Sequence, residues 1–188
     1  MKLKSNLLAT ALAVACGALV LAPTAFAAQG GTPDGTITIN GVVAANTCTV
    51  TVGGGSGNTI TLPTVYTSSL GAPGSFTGTT PFSISVSGCD QNLTSVYTYW
   101  SGANIAGDGN LKNTTVGGTN AEVQLLNGDN STIALNAAQG AQNSKSVTMT
   151  ASGGSTSATL NYKAQYYATA AATAGKLSTT VSYTMVYQ

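Results

Sequence analysis

Residues 82–90 read Phe-Ser-Ile-Ser-Val-Ser-Gly-Cys-Asp, and this stretch decides the fold. Phe82, Ile84 and Val86 alternate strictly with serine, so that one face of the segment is apolar and the other is polar. Side chains alternate between the two faces of a β-strand, whereas a helix repeats every 3.6 residues. The stretch therefore predicts a half-buried strand that ends beside Cys89.

The same alternation recurs along the chain and predicts about seven short strands. The other stripes are Ile37/Ile39, Cys48/Val50/Val52, Val123/Leu125, Ile133/Leu135, Val147/Met149, Leu160/Tyr162/Ala164/Tyr166 and Val181/Tyr183/Met185/Tyr187. Glycine, asparagine and proline clusters separate them, and no long segment has helical periodicity. The alanine-rich residues 168–174 are predicted to be a loop, because they span about two helical turns and alternate with threonine. Together these features predict an all-β, antiparallel β-sandwich.

The N-terminus has the pattern of a signal peptide. Lys2 and Lys4 precede an apolar run over residues 7–22, and Ala25-Phe26-Ala27 is a small-residue cleavage site. The run is shorter than the roughly 20 residues that span a bilayer. A lipoprotein signal at Cys16 is not favoured either, because apolar residues continue beyond that cysteine. We expect residues 1–27 to be removed on export.

The composition argues against an enzyme and against a nucleic-acid-binding protein. The chain has no histidine and carries six Lys plus Arg against five Asp plus Glu. It cannot build the basic face that phosphate binding requires, and it lacks the commonest general base and metal ligand. A pair of carboxylates could serve a glycosidase, but Asp108 and Asp129 lie in Gly/Asn-rich turns. We therefore predict no enzymatic activity, no cofactor and no metal.

Two cysteines remain after removal of the signal peptide, Cys48 and Cys89. In an exported chain such a pair predicts one disulfide. Closing a loop of about 40 residues stabilises the fold by roughly 4 kcal/mol in the chain-entropy model. A metal site is the alternative, but two thiols without histidine make a poor ligand set.

Both ends of the mature chain are unusual for a self-contained sandwich. Residues 28–34 are small and polar, and they lead directly into the alternating residues 35–43. At the other end, the last predicted strand runs to the C-terminus and carries aromatic residues there. This pattern indicates a sandwich from which one further strand has been left out.

Four blocks of sequence carry a family resemblance. They are Gly-Thr-Ile-Thr-Ile-Asn-Gly-Val-Val at 35–43 leading to Asn-Thr-Cys-Thr-Val at 46–50, the stretch 82–90, Tyr-Lys-Ala-Gln-Tyr-Tyr-Ala-Thr at 162–169, and Tyr-Thr-Met-Val-Tyr-Gln at 183–188. In this order, and with these cysteines, the chain resembles the major pilins of the type 1 fimbrial (chaperone–usher) family. The likeness spans nearly the whole mature chain, although residues 101–116 match little.

The resemblance implies a structural subunit of a surface fimbria that polymerises by donor-strand exchange and contributes to adhesion. Such pilins are incomplete immunoglobulin-like β-sandwiches lacking their last strand, which the next subunit supplies. The implied partners are identical or related pilin subunits, a periplasmic chaperone and an outer-membrane usher, and the implied location is the extracellular cell surface. The implied organisation is a signal peptide at 1–27, a donor-strand extension at 28–45 and a pilin domain at 46–188.

The resemblance also implies roles for particular residues. On the extension, alternation places on one face the side chains of Gly35, Ile37, Ile39, Gly41 and Val43. Gly41 would suit a shallow point of an acceptor groove. The disulfide would join the first strand of the domain to the second. The chaperone would hold the C-terminal strand through Val181, Tyr183, Met185, Tyr187 and Gln188.

Three alternatives remain open at this stage. The stripe at Ile37 and Ile39 is also consistent with the first strand of a complete sandwich. A minor tip or adaptor pilin would share all of these features, whereas a tip adhesin would need a second domain. A self-complete carbohydrate-binding sandwich would require exposed aromatic residues. The one cluster available for that role is Tyr97, Tyr99 and Trp100, which we interpret mainly as core, with Tyr97 and Tyr99 on one face and Trp100 on the other.

Overall fold

The structure is a computed structural model that describes Thr38 and residues 48–188. The described part is built from eight strands and one short 3₁₀ helix. The strands are β1 (Thr49–Gly53), β2 (Phe76–Cys89), β3 (Ser95–Ser101), β4 (Glu122–Asn127), β5 (Val147–Thr148), β6 (Thr150–Ser152), β7 (Ser155–Tyr167) and β8 (Ser182–Tyr187); the 3₁₀ helix is Thr67–Leu70. No helix in this part is long and apolar enough to cross a bilayer.

The strands form two antiparallel sheets. One has the order β1-β2-β7-β4, with β6 also paired to β7, and the other has the order β5-β3-β8. An immunoglobulin constant domain has sheets A-B-E-D and C-F-G. The first sheet corresponds to A-B-E-D, and β3 with β8 corresponds to C-F. Among the described residues no strand occupies the G position beside β8, so the predicted incomplete immunoglobulin-like sandwich is confirmed.

The core lies between the sheets, where the predicted alternation places it. Phe82, Ile84 and Val86 of β2 point inward and are buried, while the serines between them are more exposed. Leu160 and Tyr162 of β7 are buried in the same cluster. Period-two patterning is therefore a correct guide to the central strands, because each has one face against the opposite sheet.

Two expectations about individual segments are wrong. Ile133 and Leu135 are buried, but they do not lie in a strand. Their backbone N–H groups donate to two separate segments, Ile133 N to Leu125 O at 3.0 Å and Leu135 N to Gly109 O at 3.3 Å, so no continuous ladder with one partner strand forms. An apolar alternation can thus be buried without a sheet ladder.

The interpretation of the aromatic cluster on β3 also needs correction. Trp100 is core, at 2% exposure, but Tyr97 and Tyr99 point to the outer face of the sheet and are half-buried. Their cross-strand neighbours on that face are Val186 and Thr184 of β8. The outer face of a two-layer sandwich has no sheet against it, which is why these tyrosines are not core.

The predicted disulfide between Cys48 and Cys89 is present and joins the start of β1 to the end of β2. Residues 168–174 contain no helix, as predicted.

Candidate functional site

An open groove of about 810 Å³ runs along the domain where the two sheets fail to close. One wall is formed by Val52 and residues 58–62, and the other by residues 177–183. The floor is made of core side chains from both sheets: Phe82, Ile84, Trp100, Leu111, Val123, Leu125 and Ala164. A long apolar cleft of this kind can accommodate an extended chain whose side chains point into it.

The first wall begins where β1 ends. β1 pairs with β2 through one edge, from Thr49 opposite Ser87 to Gly53 opposite Ser83. Gly54 then turns the chain away with a φ of +99°, and a Cβ there would lie 2.8 Å from Phe82 Cα. Both facts require glycine at this position. Beyond the turn, Ile60 and Leu62 pack against the core and line the groove.

The second wall is residues 177–183, and loops hold it from behind. The Asn113 side chain donates to Lys176 O and accepts from Ser178 N, at 2.8 and 2.9 Å. Asn104 Nδ2 donates to Thr180 O at 3.2 Å. These bonds tie backbone groups of the segment to the loops that carry Asn104 and Asn113. The wall is therefore a fixed segment of chain and precedes β8 directly.

Aromatic rings fill the floor. Trp100 and Tyr162 meet edge-on with ring centres 5.1 Å apart, and Phe82 lies 5.6 Å from Tyr162. Tyr183, on the second wall, makes a further edge contact with Trp100 at 6.3 Å. The Tyr162 hydroxyl donates to Thr98 Oγ1 at 2.8 Å, and burial raises the pKa of this phenol. Such ring packing gives the groove a rigid base.

Two polar groups of the groove have no hydrogen-bond partner among the described residues. Trp100 Nε1 and Thr179 Oγ1 are both buried and unpaired, and both residues line the groove. Buried polar groups are nearly always satisfied in complete folds.

The predicted C-terminal residues fall into two sets. Val181 and Tyr183 line the groove, whereas Met185 and Tyr187 lie farther along the same inner face and pack on the core. The Tyr187 hydroxyl is buried and finds no hydrogen-bond partner in the part of the chain that the structure describes, and burial raises its pKa. Gln188 is exposed, and its carbonyl accepts from Thr94 N at 2.7 Å.

The predicted donor residues Gly35, Ile37, Ile39, Gly41 and Val43 lie outside the described residues. Their role remains a prediction. Sequence reasoning did not single out the groove-lining residues Ile60 and Leu62, although they alternate with Thr59 and Thr61 and so carried a strand-like signal.

No charged side chain of the described residues lines the groove. Glu122, opposite Tyr167 at the start of β4, lies near Asp108, and burial first and the Asp108 charge second raise the Glu122 pKa. Within the described part of the chain, no three His, Cys, Asp or Glu side chains come together as metal ligands. The floor of the groove is apolar, and its walls carry uncharged polar side chains as well.

Comparison with known proteins agrees with this arrangement. The chain matches the family model FimA, type-1 fimbrial protein, A, over residues 62–188. It is 39% identical over 160 residues to the major fimbrial subunit SMF-1 of Stenotrophomonas maltophilia (strain K279a), covering 82% of this chain and 92% of that protein. It is 40% identical over 164 residues to the F17 fimbrial protein of Escherichia coli, with coverage of 82% and 88%.

A less similar relative and two solved structures also match this chain. The minor fimbrial subunit HifD of Haemophilus influenzae is 30% identical over 163 residues, covering 82% of this chain and 74% of that protein. The P pilus rod subunit PapA has a TM-score of 0.52 at 19% identity, covering 81% of this chain and 100% of that one. A chaperone–usher pilus structure has a TM-score of 0.55 at 20% identity, with coverage of 85% and 97%. The two structures support the fold, and the sequence matches establish that this chain belongs to the type-1 fimbrial protein family and is a structural subunit of a fimbria.

Proposed function

We propose that this subunit polymerises by inserting residues 35–43 of one copy into the groove of the next. The observation that carries the proposal is the open apolar groove beside β8, at the position where a complete immunoglobulin sandwich has its last strand. An open edge over an exposed core invites aggregation unless a strand covers it. An extended segment with alternating branched side chains is the natural complement.

The chemistry of the extension fits this role. Ile37, Ile39 and Val43 share one face, and burying each is worth about 1.5–3 kcal/mol. Roughly ten ladder hydrogen bonds add on the order of 0.5–1.5 kcal/mol each. Before ordering costs, the total is comparable to the whole stability of a domain, about 5–15 kcal/mol. Strand donation would therefore decide whether the subunit stays folded.

The same groove needs protection before assembly. We propose that residues 1–27 direct export. A periplasmic chaperone then covers the groove by binding the C-terminal strand through Val181, Tyr183, Met185, Tyr187 and Gln188. At an outer-membrane usher, the extension of the next subunit replaces the chaperone in the groove. The finished fibre is extracellular and mediates surface adhesion. The subunit itself carries out no catalysis.

Two observations favour a shaft subunit over the alternatives. The relative named as a major subunit is 39% identical, whereas the one named as a minor subunit is 30% identical. Carbohydrate binding by the Tyr97, Tyr99 and Trp100 cluster is disfavoured, because Trp100, its largest ring, is 2% exposed and Tyr97 and Tyr99 are half-buried.

The test is complementation of a chain starting at Asn46 with a peptide of residues 28–45. At peptide concentrations about 100 times Kd, linkage adds roughly 2.7 kcal/mol, which raises Tm by about 5–10 °C for a domain of this size. Ile37→Asp in the peptide should abolish the rise, because a charge would enter an apolar groove. Thr38→Asp is the matched control, since alternation turns that side chain away from the groove. A truncated chain that is stable and indifferent to the peptide would rule out strand donation.

A further inference from the structure

The large hydrophobic side chains that the described residues leave exposed all lie at one end of the domain. They are Tyr66, Phe76 and Val116, at 82%, 61% and 100% exposure. Phe76 begins β2 opposite Tyr167, the last residue of β7. We call this end, with the three side chains, the apolar end. Single exposed hydrophobics are common, but a set gathered at one end of a domain marks an interaction surface.

The apolar end surrounds one mouth of the groove. Tyr66 follows Leu62 of the first wall by four residues. Val116 lies in a loop fastened to the second wall, where Thr114 N donates to Ser178 O at 2.8 Å. Both walls thus lead out of the groove to an exposed hydrophobic side chain.

The loop that carries Val116 is held in place before any partner arrives. The Asn113 amide donates to Thr119 O and accepts from Thr115 N, at 2.8 and 3.0 Å. It also bridges to the second wall, as described above. A preformed loop loses little conformational entropy when it binds, which favours its use as a contact.

The opposite end of the domain differs in character. It carries the Cys48–Cys89 disulfide and the turn in which Asp90 accepts from Asn92 N at 2.8 Å. It also carries Gln188, whose side chain accepts from Ser95 Oγ at 2.9 Å. In the described residues no large exposed hydrophobic lies at this end. The two ends are therefore chemically distinct, as head-to-tail assembly would require.

The short chain between the extension and the domain limits how far the donating copy can lie from the apolar end. In immunoglobulin sheets the last strand is antiparallel to its neighbour, so residue 43 of an inserted extension lies at the start of β8, which is the mouth with the apolar end. Only residues 44–47 separate residue 43 from Cys48. Five steps of at most about 3.6 Å reach about 18 Å. The disulfide end of the donating copy must then lie within that distance of the mouth.

We infer that the apolar end is the seat for the neighbouring copy, which covers Tyr66 and Val116 with its junction segment, residues 44–47, and the disulfide end behind it. This inference rests on the proposed strand donation. The junction sequence Ala-Ala-Asn-Thr begins with two apolar residues as it leaves the groove. The seat adds a second contact between neighbours and sets the angle between them.

Thiol labelling of the full mature chain tests this contact. Val116→Cys and Tyr66→Cys are compared in the assembled fibre and in monomer whose groove holds a peptide of residues 28–43, which ends before the junction. Labelling in the fibre should be slower by roughly tenfold or more. Asn161→Cys is the control, because Asn161 is exposed in the middle of β7, away from the apolar end. This thiol should label equally in both forms. In addition, the double variant with Val116→Ser and Tyr66→Ser should bind the peptide normally in its groove. Its fibres should dissociate more readily than those of the parent chain.

The outcomes separate the two proposals. If the peptide binds and fibres form, but both thiols label as fast in fibre as in monomer, the seat does not exist and strand donation stands. If the peptide does not bind and no fibre forms, strand donation is wrong and the seat is wrong with it.

Discussion

Gln142 offers a direct test of how the groove floor is held. Its side chain is buried, and its amide lies within hydrogen-bonding distance of four backbone groups, two of which share one N–H. Trp100 N donates to its Oε1 at 2.9 Å, and its Nε2 donates to Trp100 O, Leu135 O and Ala137 O at 2.8, 2.9 and 3.2 Å. On this side of Trp100 the amide takes the place of a neighbouring strand. Gln142 therefore fixes the backbone beneath the largest ring of the floor.

Replacing Gln142 by alanine should destabilise the domain by about 3–5 kcal/mol. Each buried backbone group left without a partner costs about 1–3 kcal/mol, and a cavity adds to the loss. Gln142→Met is the matched control, because it keeps the volume and removes only the hydrogen bonds. It should lose somewhat less than alanine does.

Gln142→Glu adds a pH signature. An ionised carboxylate would face three carbonyl oxygens in a buried site, so its folded pKa is raised above the unfolded value. Stability should then be greatest below the unfolded pKa, about 4.3, and should fall as pH rises through the folded pKa. The glutamine chain should show no such dependence at this site.

Urea unfolding followed by the fluorescence of the single tryptophan, Trp100, measures these changes. With a slope of about 1–3 kcal/mol per molar urea, the alanine variant should shift the midpoint by at least about 1 M. A loss below about 1 kcal/mol, or equal stability of the methionine variant and the parent chain, would refute the account of the amide as a strand substitute.

Cys48→Ser should lower stability by about 4 kcal/mol, because the disulfide closes a loop with a sequence separation of 41; thermal unfolding should match that of the reduced parent chain, and an unchanged Tm would contradict this. Glu122→Gln should raise Tm at pH 7 but not below about pH 4, since burial and the Asp108 charge raise the Glu122 pKa and the parent chain loses stability as pH rises through it; parallel Tm profiles of the two chains would count against this. Tyr162→Phe should cost about 1 kcal/mol through loss of the 2.8 Å bond to Thr98; a double-mutant cycle with Thr98→Val should show coupling, and simple additivity would mean the bond contributes nothing.

The sequence predicted the central strands because a strand that is buried on one face alternates apolar and polar residues along the chain. Phe82, Ile84 and Val86 face the core as their alternation indicates. The same alternation was misleading at Ile133 and Leu135, whose side chains are buried but whose N–H groups bond to Leu125 O and Gly109 O in two separate segments instead of to one partner strand. Periodicity reports which side chains are buried, but not where the backbone hydrogen bonds go.

The sequence by itself determined the all-β class, the disulfide, the absence of histidine chemistry and the family, since these depend on residue types, local alternation and the order of motifs. Only the tertiary structure decided that residues 58–62 and 177–183 face each other across a groove. It also decided that Gln142 replaces a strand beside Trp100, and that Tyr66, Phe76 and Val116 gather at one end. The physical reason is that alternation is a local property of the extended chain, whereas the neighbour of each strand is chosen by packing between residues that are distant in sequence.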